Sequence, residues 1–169
     1  MGIRLAVVAD AAAIARIYNE GIEDRIATFE TRPRTADDIE RWFDDRHPIV
    51  VAEDSTDVIG FASSSTYRPR AAYAGVAEFG VYVARSHRGR DLGRQLMETL
   101  AAEAAAQGFW KLVSRVFIEN AASRAMLASV GFREVGVYRR HGKLDGAWRD
   151  VVIVERLIGA AADRAAAET

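Results

Sequence analysis

Apolar and polar positions change their period several times along the chain, and each change marks an element. "IRLAVVA" (3–9) is a mostly apolar run that predicts a strand. Behind Asp10, placed as a cap, Ile14, Ile17, Tyr18 and Ile22 recur at helical spacing. The polar, proline-containing stretch 28–35 is a loop, and Thr35 with Asp38 approximates a capping box for a second helix running through Trp42 and Phe43. Residues 48–54 and 57–67 form two strands joined by a short turn at Ser55 and Thr56. A second loop, 68–75, leads into the strand 76–84. Its alternation puts Glu78, Gly80 and Tyr82 on one face and Phe79, Val81 and Val83 on the other. From Leu92 the period becomes helical through Leu96, Met97, Leu100 and Ala104, with Gly108 as the stop. Then come a strand at 110–117, a helix at 119–132 ending at Gly131, and strands at 133–144 and 148–158 around an Asp145-Gly146 turn. The order β-α-α-β-β-β-α-β-α-β-β predicts an α/β fold: one domain over 1–159 with a mixed sheet flanked by helices. The alanine-rich tail 160–169 is expected to be a frayed helix or disordered.

Composition narrows the function. The 169 residues suffice for one domain with a sizeable core, and 50% hydrophobic with 28% charged residues is a globular balance. A formal net charge of −1 supplies no global attraction to nucleic acid or to a membrane surface, so any basic function is local. The absence of cysteine excludes disulfides, thiolate catalysis and cysteine-ligated zinc, and fits a cytoplasmic address. No signal peptide and no apolar run of the ~20 residues that span a bilayer can be read. His47, His87 and His141 lack metal-ligand spacing, so no metal is expected.

The local basic function is sharply placed. In "VYVARSHRGRDLGRQLMETL" (81–100) a strand runs into Arg85, Arg88, Arg90 and Arg94 around the start of a helix. The first N–H groups of a helix have no internal partner and the helix dipole adds positive charge, so arginines there are unfavourable unless an anion compensates. Gly89 and Gly93 let an oxygen approach the backbone. A solvated basic turn is the bland alternative. The segment "GRDLGRQ" lacks the lysine and hydroxyl of a P-loop, and G-x-G-x-x-G is absent.

"RGRDLG" (88–93) resembles the pyrophosphate-binding signature [QR]-x-x-G-x-[GA] of the GNAT N-acetyltransferases, with Asp91 in place of the first glycine. "NAASRAMLASVGF" (120–132) is similar to a later block of the same family. "IYNEGIEDRIATFETRP", "AYAGVAEFGVYV" and "KLDGAWRDV" resemble the phosphinothricin, methionine sulfoximine and arsinothricin acetyltransferase branch, over about Ile3 to Leu157. The resemblance implies a GNAT-like fold and acetyl-CoA as co-substrate. Its pyrophosphate would lie on Arg88, Gly89, Arg90, Asp91, Leu92, Gly93 and Arg94. The backbone of Val81 and Val83 would meet the thioester and pantetheine; Asn120 would bind the pantetheine arm and Ser123 lie near the coenzyme. It further implies N-acetylation of the α-amino group of a small amino acid or toxic analogue, and a homodimer.

Acetyl transfer to an amine needs a proton acceptor, because a free α-amino group has a pKa near ~8. Glu78, mid-strand between Ala77 and Phe79, is the candidate base; a carboxylate paired with an arginine is the structural alternative. Many members of the family protonate the departing thiolate with a tyrosine at the position that is Leu127 here, so the thiolate leaves unassisted or through water. Tyr82 and Tyr138 are the candidate substitutes for that tyrosine, with core packing the expected role of each. Phe29 and Glu30 in the first loop and Arg68, Arg70 and Tyr73 in the second are the candidate substrate contacts, with the arginines gripping an anionic group. Asp145 and Trp148 are expected to organise the final hairpin. Two other functions stay open: acetylation of a protein or peptide amine, which needs an open groove, and a non-catalytic acyl-CoA-binding module, to which Asp91 and Leu127 point.

Overall fold

The computed structural model describes residues 1–162. Seven strands form one sheet in the order β1-β2-β3-β4-β5-β7-β6: β1 Gly2–Leu5, β2 Ile49–Glu53, β3 Val58–Thr66, β4 Val76–Val83, β5 Lys111–Phe117, β6 Arg133–Leu144 and β7 Ala147–Leu157. Four helices, α1 Ala11–Asp24, α2 Ala36–Glu40, α3 Leu92–Ala106 and α4 Ala121–Ser129, complete the predicted order. Every neighbouring pair is antiparallel except β4 with β5. A parallel pair requires a crossover, and α3 supplies it.

A core lies on each face of the sheet. Central strand β2 shows why its sequence "IVVA" is apolar without alternation: Val50 and Ala52 pack with α3, while Ile49 and Val51 pack with α1 and α2. On α3, Leu92, Leu96, Met97 and Leu100 form one buried stripe against the sheet. Each such side chain contributes about 1.5–3 kcal/mol of burial.

Local chemistry confirms several boundaries and moves others. The Thr35–Asp38 capping box forms: Thr35 N–H donates to the Asp38 carboxylate at 2.9 Å and Asp38 N–H to Thr35 Oγ1 at 3.2 Å. The helix nevertheless stops at Glu40, with Trp42 and Phe43 in the turn beyond it, still packed on the α1 side of the sheet. Strand β1 ends at Leu5 rather than at residue 9, and Val7 and Val8 are exposed. Asp10 does not cap α1. Its carboxylate is instead taken by both terminal nitrogens of Arg4, at 2.8 and 3.0 Å, and by Val7 N–H at 2.9 Å. Arg4, helped by Val7 N–H and opposed by burial, holds the Asp10 carboxyl below the usual carboxylate range. Asp145 and Gly146, at φ 50° and 78°, make the tight turn expected between β6 and β7. Residues 159–162 begin a further helical turn; the expectation for the tail otherwise falls outside the described residues.

The start of the β4–β5 pair is fixed by Gly75. Its carbonyl accepts from Trp110 N–H at 2.7 Å and Lys111 N–H at 3.2 Å. The Trp110 ring lies over it so closely that a Cβ on residue 75 would sit 1.9 Å from Trp110 Cε3.

Candidate active site

Strands β4 and β5 pair through three positions only, Val76–Lys111, Ala77–Leu112 and Glu78–Val113, and then part. Ser114 Oγ donates to the Phe79 carbonyl at 2.9 Å where they separate. The Phe79 carbonyl therefore faces β5. Successive residues of a strand send their polar groups to opposite sides, so Val81 and Val83 also direct theirs into the opening. Backbone groups without a strand partner are costly unless something binds them.

Two cavities meet at this opening, of about 540 and 450 Å³, and they share Ala27, Val81, Tyr82, Asn120 and Ser123. The smaller is the anion side. It is lined by Arg88, Gly89, Asp91, Leu92, Gly93 and Arg94 at the start of α3. No side chain caps this helix, so its first N–H groups stay available. Gly89 and Asp91 both have positive φ, 76° and 64°. Aspartate tolerates that left-handed conformation better than most residues, which explains how it replaces a glycine here. Its carboxylate turns onto Arg94, accepting from Nε at 2.9 Å and Nη2 at 2.6 Å, and Arg94 Nη1 reaches Glu98 at 2.8 Å. Arg94 thereby holds the Asp91 carboxyl below its ordinary value. Arg88 is also engaged: Nη1 lies 2.6 Å from Asp24 Oδ2, a buried oxygen outside hydrogen-bonding geometry, and Nε donates to the Val83 carbonyl at 3.3 Å. Burial pushes the Asp24 carboxyl up, but Arg85 and Arg88 outweigh it and leave it below the usual range. Arg90 is exposed and does not line the cavity. The Leu92 side chain belongs to the core, so that residue can offer only backbone.

The larger cavity holds Glu78, Phe29, Glu30, Tyr82, Arg115 and His141 among its walls. Glu78 has a side chain one-third exposed, with Arg115 Nη2 donating to Oε1 at 2.9 Å. Arg115 Nη1 lies 3.3 Å from His141 Nε2. Glu30 pairs with Arg34 at 2.7 Å, and Phe29 meets Phe117 edge-on at 4.7 Å. Tyr82 stacks on Phe61 and meets Tyr18 edge-on, and burial pushes its phenol well above the ordinary value. Leu127, buried, closes one wall. Asn120 caps α4 by accepting from Ser123 N–H at 3.2 Å, and its amide donates to the Ile26 carbonyl at 3.3 Å.

The structure does not bring Arg68, Arg70 and Tyr73 to either cavity. The 67–75 segment folds on itself instead. Arg68 packs over Tyr67, Arg70 over Tyr73, and the two tyrosine rings meet edge-on at 5.8 Å. Tyr138 departs from the expectation of core packing, being more than half exposed on β6. Sequence reasoning missed Arg115 and His141. Arg115 left a trace, a charge interrupting the apolar strand "KLVSRVF", as Glu78 interrupts "VAEFG".

A strand that parts from its neighbour beside an uncapped helix start is a fold-level feature that known proteins can be compared with. The family model for the acetyltransferase (GNAT) family matches residues 14–132. The chain belongs to the GNAT acetyltransferases. Among individual members, this GNAT chain is 35% identical over 158 residues to the L-methionine sulfoximine/L-methionine sulfone acetyltransferase of Pseudomonas aeruginosa, covering 90% of this chain and 92% of that one. It is 34% identical over 161 residues to the phosphinothricin N-acetyltransferase of Streptomyces coelicolor, covering 91% and 94%. The crystal structure of a GNAT superfamily phosphinothricin acetyltransferase from Sinorhizobium meliloti in complex with AcCoA superposes with a TM-score of 0.87 at 30% identity, over 94% of this chain and 88% of that one. Among the described residues, no group of three or more His, Cys, Asp or Glu could hold a metal, and no helix is long and apolar enough to cross a membrane.

Proposed function

We propose that the chain transfers the acetyl group of acetyl-CoA to the α-amino nitrogen of a small amino acid or amino-acid analogue of the phosphinothricin or methionine sulfoximine type. One observation carries this: two cavities open onto the same backbone, at Val81, one walled by the free α3 start and the other by Glu78. The α3 side fits a pyrophosphate, with uncapped N–H groups, two positive-φ positions and the guanidinium of Arg88. The Val81 and Val83 backbone fits the pantetheine and thioester end.

Acetyl-CoA supplies the activated acyl carbon. Glu78 accepts a proton from the acceptor's ammonium, directly or through water, leaving the nitrogen lone pair free. Nitrogen then attacks the acyl carbon and a C–N bond forms; the C–S bond breaks with the electron pair leaving on sulfur, and the second excess proton on nitrogen is lost to water. Val81 N–H donates to the intervening oxyanion, a role supported by its position in the lining of both cavities. The thiolate takes its proton from water, since Leu127 cannot supply one and burial makes the Tyr82 phenol a poor acid. Phe29 and Glu30 wall the acceptor.

The acceptor class is tested by thiol release with acetyl-CoA against phosphinothricin, methionine sulfoximine, methionine sulfone, the common amino acids and short peptides. Turnover concentrated on small amino acids is expected. Preference for peptides would overturn the substrate assignment, and coenzyme binding without turnover on any amine would overturn the enzymatic one. A cytoplasmic homodimer belongs to the same proposal. Its support is the lack of cysteine and an edge strand, β6, that carries exposed Val135, Val137 and Tyr138 beside Trp148. Light scattering on the purified protein measures the dimer.

A further inference from the structure

The acceptor cavity contains opposite charges already in contact. Glu78 and Arg115 come from neighbouring strands and meet at 2.9 Å, and Arg115 is the only guanidinium or ammonium among the described residues lining that cavity. The other wall carboxylate, Glu30, is committed to Arg34. His141 completes the set from β6. Nothing else in the cavity explains an arginine inserted into the apolar strand "KLVSRVF". Its packing role is small, because its side chain is nearly half exposed.

An α-amino acid is a zwitterion whose ammonium and carboxylate are held one carbon apart. The Glu78–Arg115 pair presents the complementary charges side by side. We propose that Arg115 is a specificity-determining residue that exchanges Glu78 for the carboxylate of the incoming amino acid, with Glu78 taking the ammonium. This rests on the acceptor assignment above and goes one step beyond it. A guanidinium binds a carboxylate through two parallel N–H donors, and Arg115 has Nη1 and Nη2 both directed at this cavity's polar groups. The exchange does two things at once. It anchors the end of the substrate next to the nitrogen, and it removes a hydrogen-bond donor from Glu78 at the moment Glu78 must accept a proton. The proton passes from nitrogen to a Glu78 oxygen; no other bond changes in that step. An amine without a carboxylate gains only the Glu78 contact and leaves the Glu78–Arg115 bond unbroken, so the base stays occupied. Arg68 and Arg70 lie over Tyr67 and Tyr73 and do not line this cavity.

The test compares methionine sulfoximine with its decarboxylated amine in the parent, Arg115→Ala and Arg115→Lys, measuring kcat and KM separately. The parent is expected to prefer the amino acid strongly. Arg115→Ala should lose about 10- to 100-fold in kcat/KM on the amino acid, mostly in KM, and at most about threefold on the decarboxylated amine. Arg115→Lys, which keeps the charge without the fork, should fall between. Coenzyme affinity and circular dichroism, unchanged in both variants, exclude a misfolded protein as the cause. An equal loss on both acceptors would overturn the proposal, since a residue that merely braces Glu78 affects every amine alike. Retained selectivity in Arg115→Ala would do the same while leaving the acceptor assignment intact. Failure of the parent on all amino acids would remove the assignment and this proposal together.

Discussion

Glu78→Gln is the substitution that most directly separates chemistry from architecture. It keeps the side-chain shape and removes the proton acceptor. The structure bounds its effect on stability. The Glu78–Arg115 pair is one-third exposed on one side and nearly half on the other, and such pairs contribute about 0–1 kcal/mol. For a chain of this length that is a Tm shift of no more than about 4 °C. The effect on turnover is expected to be far larger. Loss of a positioned base lowers kcat by about 10²–10⁴-fold, or about 3–5 kcal/mol of barrier. Part of that should return with alkali. The ammonium of a free amino acid, held by its own carboxylate, is almost wholly protonated at pH 7, so raising the pH to 9 supplies at least about tenfold more free amine without help from any base. The variant should therefore regain at least about one decade between pH 7 and 9, while the parent gains less. Thiol release can be followed directly with a chromogenic disulfide, because the chain has no cysteine of its own to react. A variant that keeps more than half of the parent's turnover at pH 7 would remove Glu78 from the mechanism. A large loss with no recovery at high pH would refute the proton-transfer role specifically.

At the pyrophosphate side, Arg88→Gln should weaken coenzyme A in calorimetry with only a small drop in melting temperature, because Arg85 still pairs with Asp24. Asp91→Gly should bind it as tightly as the parent or more so, because the φ of 64° suits glycine and Arg94 is released. Gly75→Ala should destabilise by about 1–3 kcal/mol, since its Cβ would collide with the Trp110 ring. Thermal unfolding measures this, and the loss should shrink in the background of Trp110→Ala. The Asp10 carboxyl, held low by Arg4, contributes stability that is whole above the ordinary carboxylate range near pH 4 and is lost as pH falls through the depressed folded value. Asp10→Asn should therefore lower stability in urea at pH 7, with the difference from the parent narrowing toward pH 2.

Local signals carried the element order. The capping box at Thr35 and Asp38, the Asp145-Gly146 turn and the change of period at Leu92 each act over a few residues, and each was visible in the chain. Glu78 was visible for the same reason, as a charge within an apolar strand. What stayed hidden depends on which strands become neighbours. Glu78 and Arg115 are 37 positions apart, and Arg115 and His141 are 26 apart. Alternation reports a residue's face and says nothing of the strand beside it. His141 is further displaced by an irregularity of β6 between Tyr138 and Gly142, where three residues have no partner in register. Competition for one side chain explains the smaller misses. Asp10 had the composition of a cap, but Arg4 arrived from β1 and took its carboxylate. Arg68 and Arg70 had the composition of anion ligands, and they lie over Tyr67 and Tyr73 outside the lining of either cavity.

The parting of β4 from β5 gives the two halves of the site unequal freedom to change. On the donor side the groups facing the opening at Val81 and Val83 are main-chain amides and carbonyls; every residue carries the carbonyl and every residue but proline the N–H. Drift in the side chains at those positions leaves the donor's docking edge in place. On the acceptor side the groups are side chains from three different strands, β4, β5 and β6, and each can be replaced alone. A lineage built on this frame can therefore exchange one amine for another by single substitutions at Glu78's neighbours, while its acyl donor stays the same.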